Sequence, residues 1–362
     1  MLTPFRFASL VFKIRYAPPN FVKKMIRIVN KRYHFLKIKN ASDLSKLLFV
    51  SFENLQIEIN QPTYKTFEIS KKSGGKRIIH QPLDNTLRIQ NELLSIFQNY
   101  YTKIKPNHVH GFVSYSKKDG KKSNILENAK PHVGKKHLLN IDLKNFFPSI
   151  TAKKVKQLFE SDFFKFNTNI ATSLALLTTF EGKLTIGSPT SPVISNFICY
   201  PMDIILAEFC KKNNLTFTRY ADDLSFSSYD YIKNDTLLDI INIITENGFD
   251  VNYKKLRFAN SNAKQTVTGI TVNQKPNVDR TFLKKIRAIL YDINQNGLEM
   301  AAFKHYSISK KGENTLSFLN VLEGYILFVR QIRGVNDTYY QCFNNKLKEI
   351  RLKNLEIENK KI

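Results

Sequence analysis

Three aspartates carry the chemistry open to this sequence. Asp142 closes the apolar run His137-Leu138-Leu139-Asn140-Ile141, and Asp222-Asp223 interrupt a stretch holding Phe217, Tyr220, Leu224 and Phe226. Carboxylates set against apolar strands are costly unless cations neutralise them. No His/Cys cluster accompanies these acids, and hard oxygen donors select magnesium, with manganese as the alternative, over zinc. Two such ions, about 3.5–4 Å apart, would activate an attacking hydroxyl and stabilise a leaving pyrophosphate; that is nucleotidyl transfer. An Asp-Asp pair also has a plain reading as turn chemistry. The third strand-end acid and a basic hairpin in the same chain weigh against it. In that hairpin Lys72 and Arg77 flank Gly74-Gly75. A fork-shaped guanidinium there suits triphosphate oxygens, the plain alternative being a solvated basic loop.

The elements that must position these groups can be read along the chain. Tyr64 to Arg77 alternates and turns on Lys71-Lys72-Ser73-Gly74-Gly75-Lys76-Arg77, which predicts a β-hairpin; its second strand should stop before Pro82. Leu83 to Tyr101 has a helical apolar stripe, and Ser114 to Lys122 reads as an exposed loop. His137 to Leu143 is a short buried strand running into Phe146-Phe147-Pro148. Helical pattern fills Ala152 to Leu177. Gly187-Ser188-Pro189-Thr190-Ser191-Pro192 is a loop, with Ser191 as N-cap and Pro192 as first residue of a helix that Pro201 should kink or interrupt. Leu215 to Tyr220 and Leu224 to Ser227 are two strands joined by Ala221-Asp222-Asp223. A further β signal covers Thr266 to Val272, and the chain is mainly helical from Asp279, with a fraying end.

Composition narrows the partners. The chain has 362 residues, a length for about two to three domains, and 42 % hydrophobic content, enough for real cores. With 56 Lys and Arg against 30 Asp and Glu, the formal net charge of +26 attracts polyanions, so nucleic acid or an anionic membrane comes first. No run reaches the ~18 uninterrupted apolar residues of a membrane span; the richest, Phe318 to Val329, contains Asn320 and Glu323. No membrane partner is expected. Cys199, Cys210 and Cys342 form no C-x-x-C pair, which excludes a disulfide framework or a cysteine zinc site and fits a reducing cytoplasm. The first 40 residues hold ten Lys/Arg and no acid, with three readings: a nucleic-acid-binding arm, a solvated helix face, or a targeting segment. The 28 Phe and 16 Tyr can serve as core or as base-stacking platforms.

Tyr220-Ala221-Asp222-Asp223 resembles the Y-A-D-D motif of reverse transcriptases, and Asp142 with Phe146-Phe147-Pro148-Ser149-Ile150 resembles their first acidic motif. Gly187 to Pro192 with Ser195-Asn196 is similar to the loop and helix under the templating pair, and Lys254-Lys255 to the later lysine motif. Asn128-Ala129-Lys130-Pro131-His132 and Val267-Thr268-Gly269 resemble the N-A-x-x-H and V-T-G elements of bacterial retron reverse transcriptases, although each alone also reads as an ordinary loop or strand end.

The resemblance implies an α+β right-hand polymerase fold: residues 1–50 a basic N-terminal extension, 51–137 fingers, 138–276 palm with part of the fingers inserted at about 152–185, and 277–362 a helical thumb. It implies two magnesium ions on Asp142, Asp222, Asp223 and the Leu143 backbone carbonyl. For the incoming nucleotide it implies Lys72, Arg77, Phe147, Gly187 and Lys255, with Phe147 excluding a 2′-hydroxyl. RNA contacts are expected at Asn128, His132, Val267, Thr268, Gly269, Lys284, Lys285 and Arg330. For His132 structural hydrogen bonding is an equal reading, and for Phe147 the core. The implied partners are deoxynucleoside triphosphates, a cognate structured non-coding RNA, its branched RNA–DNA product primed from a guanosine 2′-hydroxyl, and an effector encoded nearby in anti-phage defence. An intron-type or mutagenic-retroelement reverse transcriptase is the alternative enzyme, disfavoured by a C-terminus with no room for nuclease or maturase appendages and by the Asn128/His132 and Val267-Thr268-Gly269 elements. A scaffold that holds RNA–DNA and restrains an effector is the alternative class. Three departures stand out: Ile186 where many relatives carry Gln, Asn145 where an acid is frequent, and a long Lys117–Lys122 loop.

Overall fold

A computed structural model of the chain describes residues 35–71, 74–114, 123–306 and 315–359. Lys72, the Lys117–Lys122 loop and most of the basic N-terminal stretch lie outside the described residues. The chain divides into two interleaved units. One takes the described residues up to Ser123, Asp142–Phe209 and Asp235–Lys254; the other takes Asn124–Ile141, Cys210–Asn234 and the chain from Lys255 onward.

In the first unit, helices Ala41–Leu48 and Phe52–Asn60 precede strands β1 (Tyr64–Ser70) and β2 (Lys76–Pro82). These pair antiparallel as expected, Tyr64 opposite Pro82, so β2 runs through Pro82 rather than ending before it. Proline is tolerated at the end of such an edge strand because no ladder donor is needed there. Helix Asp84–Ile104 follows, burying Ile89, Leu93, Ile96, Phe97 and Tyr101. The helical stretch expected over Ala152 to Leu177 is two helices, Ala152–Glu160 and Thr168–Thr178. The second helix has its own start signal, since Asn167 accepts the Ile170 N–H as its N-cap. Phe35, Phe97, Phe159, Phe164 and Phe197 meet edge-on or tilted, with ring centroids 5.2–6.1 Å apart. Helix Ser191–Lys212 starts the last part of this core and continues through Pro201 without interruption. Buried Phe197, Met202 and Leu206 hold it, so packing overrides the bond that proline removes.

That helix also bears on the expectation of no membrane partner. By length and composition Ser191–Lys212 could cross a membrane, and about half of it is buried inside the protein. It carries fully buried Ser195 and Asn196, with Asn196 Nδ2 donating to the Gly111 carbonyl at 3.0 Å. A core helix explains the same composition.

The second unit is built on a four-stranded sheet of order β4-β5-β3-β6, where β3 is His137–Asp142, β4 Thr216–Tyr220, β5 Asp223–Ser228 and β6 Arg257–Asn260. A small hairpin, β7 (Thr266–Val267) and β8 (Ile270–Thr271), turns on Thr268 and Gly269, both at positive φ, as a two-residue hairpin loop requires. Helices Arg280–Tyr306, Thr315–Arg333 and Thr338–Asn359 form the expected helical C-terminal part, the first broken at Gly297 (φ 82°, ψ 166°). Val267, Ile270, Val272, Ile286, Phe318, Leu322, Val329 and Phe343 share its core.

Candidate active site

The β4–β5 register sets Tyr220 opposite Asp223 and leaves Ala221-Asp222 as a two-residue turn. Ala221 sits at φ 59°, a left-handed conformation costing a non-glycine residue about 1–2 kcal/mol. Arg219, wholly buried, donates from Nη1 to the Ala221 carbonyl at 3.0 Å and holds the turn. Phe217 and Phe226 stack beneath it with centroids 5.0 Å apart. Asp222 is half-buried and Asp223 exposed. Asp142 is 8 % exposed at the end of β3; its Oδ1 accepts from Asn252 Nδ2 at 3.0 Å and its carbonyl from the Asn252 N–H at 2.8 Å. In the sheet β3 is the neighbour of β5, and Asn140 Nδ2 donates to Ser225 Oγ at 3.0 Å, so the strand ending in Asp142 runs beside the strand beginning with Asp223.

Carboxylate oxygens free of Cys or His suit a hard divalent cation. Among the described residues, however, no group of three or more His, Cys, Asp or Glu is assembled as an ion cage. Asn252 donates to Asp142 from both its side chain and its backbone. Leu143 is buried and bridges to Val251.

The nucleotide residues expected in the first unit fall on two elements. Arg77 is exposed on β2 opposite Ile69; beside it Lys76 pairs with Glu68 at 2.5 Å. Gly187 stands where two backbones touch. The His80 N–H donates to the Ile186 carbonyl at 2.9 Å, and a Cβ on Gly187 (φ 111°) would lie 2.7 Å from the His80 carbonyl oxygen. Only glycine fits there. The loop is fixed further by Gln90, a residue sequence reasoning missed. Ser188 Oγ donates to Gln90 Oε1 (2.8 Å), while Gln90 Nε2 donates to the Leu177 carbonyl (2.9 Å) and to Tyr64 Oη (2.6 Å). Burial chiefly raises the Tyr64 hydroxyl to about 12, so it stays protonated. A lone Gln at a core position of an apolar stripe was the available signal.

Phe147 lies half-buried in the turn after β3, its ring stacked on Phe112 (5.7 Å, 28°) and tilted against buried Phe146 (5.3 Å). Nearby His110 is pushed down to about 4, first by burial and then by Lys105 and His108, so it is neutral at physiological pH.

The residues expected to touch RNA divide sharply. Lys284, Lys285 and Arg330 are exposed on the C-terminal helices, with Lys285 Nζ 4.9 Å over the Tyr325 ring and Arg330 5.8 Å from that of Tyr340. Lys255 is exposed in a short 3-10 turn. Asn128, His132 and Val267 are wholly buried, which removes their side chains from direct RNA contact in this fold. His132 Nδ1 bonds Ser227 Oγ (2.7 Å) and Nε2 bonds Thr218 Oγ1 (2.8 Å), a structural role. Both Asn128 side-chain atoms are buried without a hydrogen-bond partner. Thr268 Oγ1 donates to the Ile125 carbonyl (3.4 Å), while Gly269 is exposed.

The family model described as reverse transcriptase (RNA-dependent DNA polymerase) matches residues 69–277. The retron Ec86 reverse transcriptase of Escherichia coli is 32 % identical over 262 residues, covering 71 % of this chain and 78 % of the relative. The chain belongs to the retron reverse transcriptases. The retron Ec73 enzyme of E. coli is 30 % identical over 327 residues, covering 86 % of this chain and 95 % of the relative. Among solved structures, telomerase from Candida albicans with a TWJ fragment of telomeric RNA aligns over 81 % of this chain and 64 % of its own, at 11 % identity and TM-score 0.46. A retron reverse transcriptase is an RNA-directed DNA polymerase, a nucleotidyltransferase of the α+β right-hand fold class, acting on an RNA template with deoxynucleoside triphosphates. Its family works with divalent metal ions.

Proposed function

We propose that this retron reverse transcriptase copies a cognate non-coding RNA into branched RNA–DNA by magnesium-dependent nucleotidyl transfer. The observation that carries the reading is the two-residue acid turn, clamped by buried Arg219 and set at the start of a strand adjacent to the one ending in Asp142. Asp142, Asp222, Asp223 and the Leu143 carbonyl would hold the ions. Bound there, magnesium, or manganese in its place, would lower the pKa of the priming hydroxyl and neutralise the leaving pyrophosphate. The protein's own part is to hold its carboxylates still, which the strained turn and the Asn252 bonds to Asp142 favour. Exposed Arg77, with Lys72, would clamp triphosphate oxygens, Gly187 and Lys255 would line the nucleotide, and the Phe147 ring would exclude a 2′-hydroxyl. Exposed Lys284, Lys285 and Arg330 offer sequence-independent phosphate contacts. Asn128, His132 and Val267 would serve RNA recognition only by shaping the element that presents Thr268 and Gly269.

The further biology rests on family membership: fingers, palm and thumb divided as expected above, a cytoplasmic setting, an effector partner and a role in anti-phage defence. The test is the nucleic acid that co-purifies with the protein. A short DNA of discrete length is expected, its 5′ end attached to a ribonucleotide after RNase digestion and freed by a 2′–5′ debranching enzyme. Heterogeneous, unbranched DNA would favour general or intron-type reverse transcription instead.

A further inference from the structure

We propose that Phe112 is a positioning residue for sugar selection, the fixed face against which Phe147 rests. The inference builds on the reading of Phe147 as the wall against a 2′-hydroxyl. The two rings stack at 5.7 Å and 28°, and on its other side Phe147 meets Phe146, itself buried against Phe249 at 5.9 Å. A wall held on two sides cannot swing away from the sugar; a wall held on one can.

Phe112 is held in an unusual way. It sits at φ 58°, a left-handed conformation rare for a bulky residue. Two side-chain amides from two helices keep it there. Gln98 Nε2 donates to the Phe112 carbonyl (3.1 Å) while Gln98 Oε1 accepts the Ser114 N–H (3.1 Å). Fully buried Asn196 donates from Nδ2 to the Gly111 carbonyl (3.0 Å), with a longer contact to that of Phe112 (3.5 Å). Strained backbone persists only where its surroundings over-determine it, and such residues gather at working sites. Here the strain turns a half-buried ring onto the face of the residue expected to judge the sugar.

The test is single-nucleotide incorporation on a primed RNA template by the full-length protein, comparing kcat/KM for dGTP and GTP. The ratio, rather than the rate, is the readout. Phe147→Val is expected to lower the preference for dGTP by more than about tenfold. Phe112→Leu is expected to lower it about three- to tenfold, the worth of one aromatic pair. Phe112→Tyr, which keeps the ring, should restore it. Gln98→Leu leaves both rings in place and frees the loop, so it should shift the ratio in the same direction. It carries the test where Phe112→Leu does not fold. A ratio lowered by Phe147→Val but untouched by Phe112→Leu and Gln98→Leu would overturn the inference and spare the wall. Equal loss of both activities at constant ratio in the Phe112 and Gln98 variants would also overturn it. No change with Phe147→Val would remove the wall and the inference together.

Discussion

The β1–β2 hairpin holds its polar side chains in water, whereas the four-stranded sheet and the segment packed on it bury theirs. On the hairpin Glu68, Lys76 and Arg77 are exposed, and a solvated pair such as Lys76–Glu68 contributes only ~0–1 kcal/mol. In the other unit His132, Thr218, Arg219, Ser225 and Ser227 are no more than 1 % exposed. Thr218 Oγ1 donates to the Asn128 carbonyl (3.2 Å), which leaves its lone pairs for His132 Nε2, so that nitrogen donates, and His132 Nδ1 is bonded to Ser227 Oγ (2.7 Å). Exposed charges act singly and can engage and release a ligand. A buried network acts as a unit, because each lost partner strands another polar group in a low dielectric. The difference fits the proposed roles, a hairpin that engages triphosphate and a sheet that holds its acids still.

The strongest test of that division is at the acid turn. Asp222→Ala or Asp223→Ala is expected to reduce DNA synthesis by about a thousandfold or more while RNA binding, carried by dispersed cations, persists. Primer extension alongside filter binding reads both quantities, and parallel loss of the two would make these acids structural. Next comes the buried network. His132→Ala removes two buried hydrogen bonds and leaves the Ser227 and Thr218 hydroxyls behind, so unfolding stability should fall by about 2–4 kcal/mol. Urea unfolding measures it. A loss below ~0.5 kcal/mol would place His132 among dispensable surface-like residues.

Much of this was legible in the sequence, for identifiable reasons. Alternation around Gly74-Gly75 and around Asp222-Asp223 reports local pairing, and both hairpins fold there. Side-chain partners distant in the chain left no such trace. Gln90 meets Ser188, Gln98 meets Phe112, Asn196 meets Gly111 and His132 meets Ser227, and nothing local in the residue types says which will meet. Asn128 and His132 sit in a polar, proline-containing stretch where RNA contacts are expected, yet packing against β4 and β5 takes both inside. Pro201 fails as a helix breaker for the same reason: tertiary burial outweighs a local signal. The acids were visible as residues and as strand ends, but the Asn252 bonds that draw Asp142 were not.

On the hairpin the expected effects are graded. Arg77→Ala should raise the KM for deoxynucleoside triphosphates about tenfold, through loss of charge-assisted hydrogen bonds, with a smaller change in kcat. Arg77→Lys should recover part of it, since an ammonium keeps the charge but not the fork. Added salt should shrink the difference between wild type and Arg77→Ala, because an exposed contact is screened. Steady-state kinetics at two ionic strengths would reveal it. An unchanged KM would return Arg77 to the solvated hairpin.

The smallest effect is expected at Asn128, and it tests the buried side of the comparison most sharply. Its neighbours in the network all have partners, but both atoms of its own amide are buried without one. Burying an unsatisfied amide is unfavourable, so an apolar side chain of similar volume should cost nothing or stabilise the fold by up to about 1 kcal/mol. The main-chain carbonyl that accepts from Thr218 is untouched by Asn128→Leu, and the His132 bonds should survive. Thermal unfolding and primer extension, on the cognate RNA and on a generic primed template, separate the outcomes. Unchanged or raised stability with both syntheses intact would make the amide of Asn128 dispensable. Loss of stability like that of His132→Ala would mean that the amide supports the network after all. Retained stability and generic synthesis with impaired synthesis on the cognate RNA would mean that the amide finds its partner only when that RNA is bound, and would carry Asn128 from the buried network to recognition.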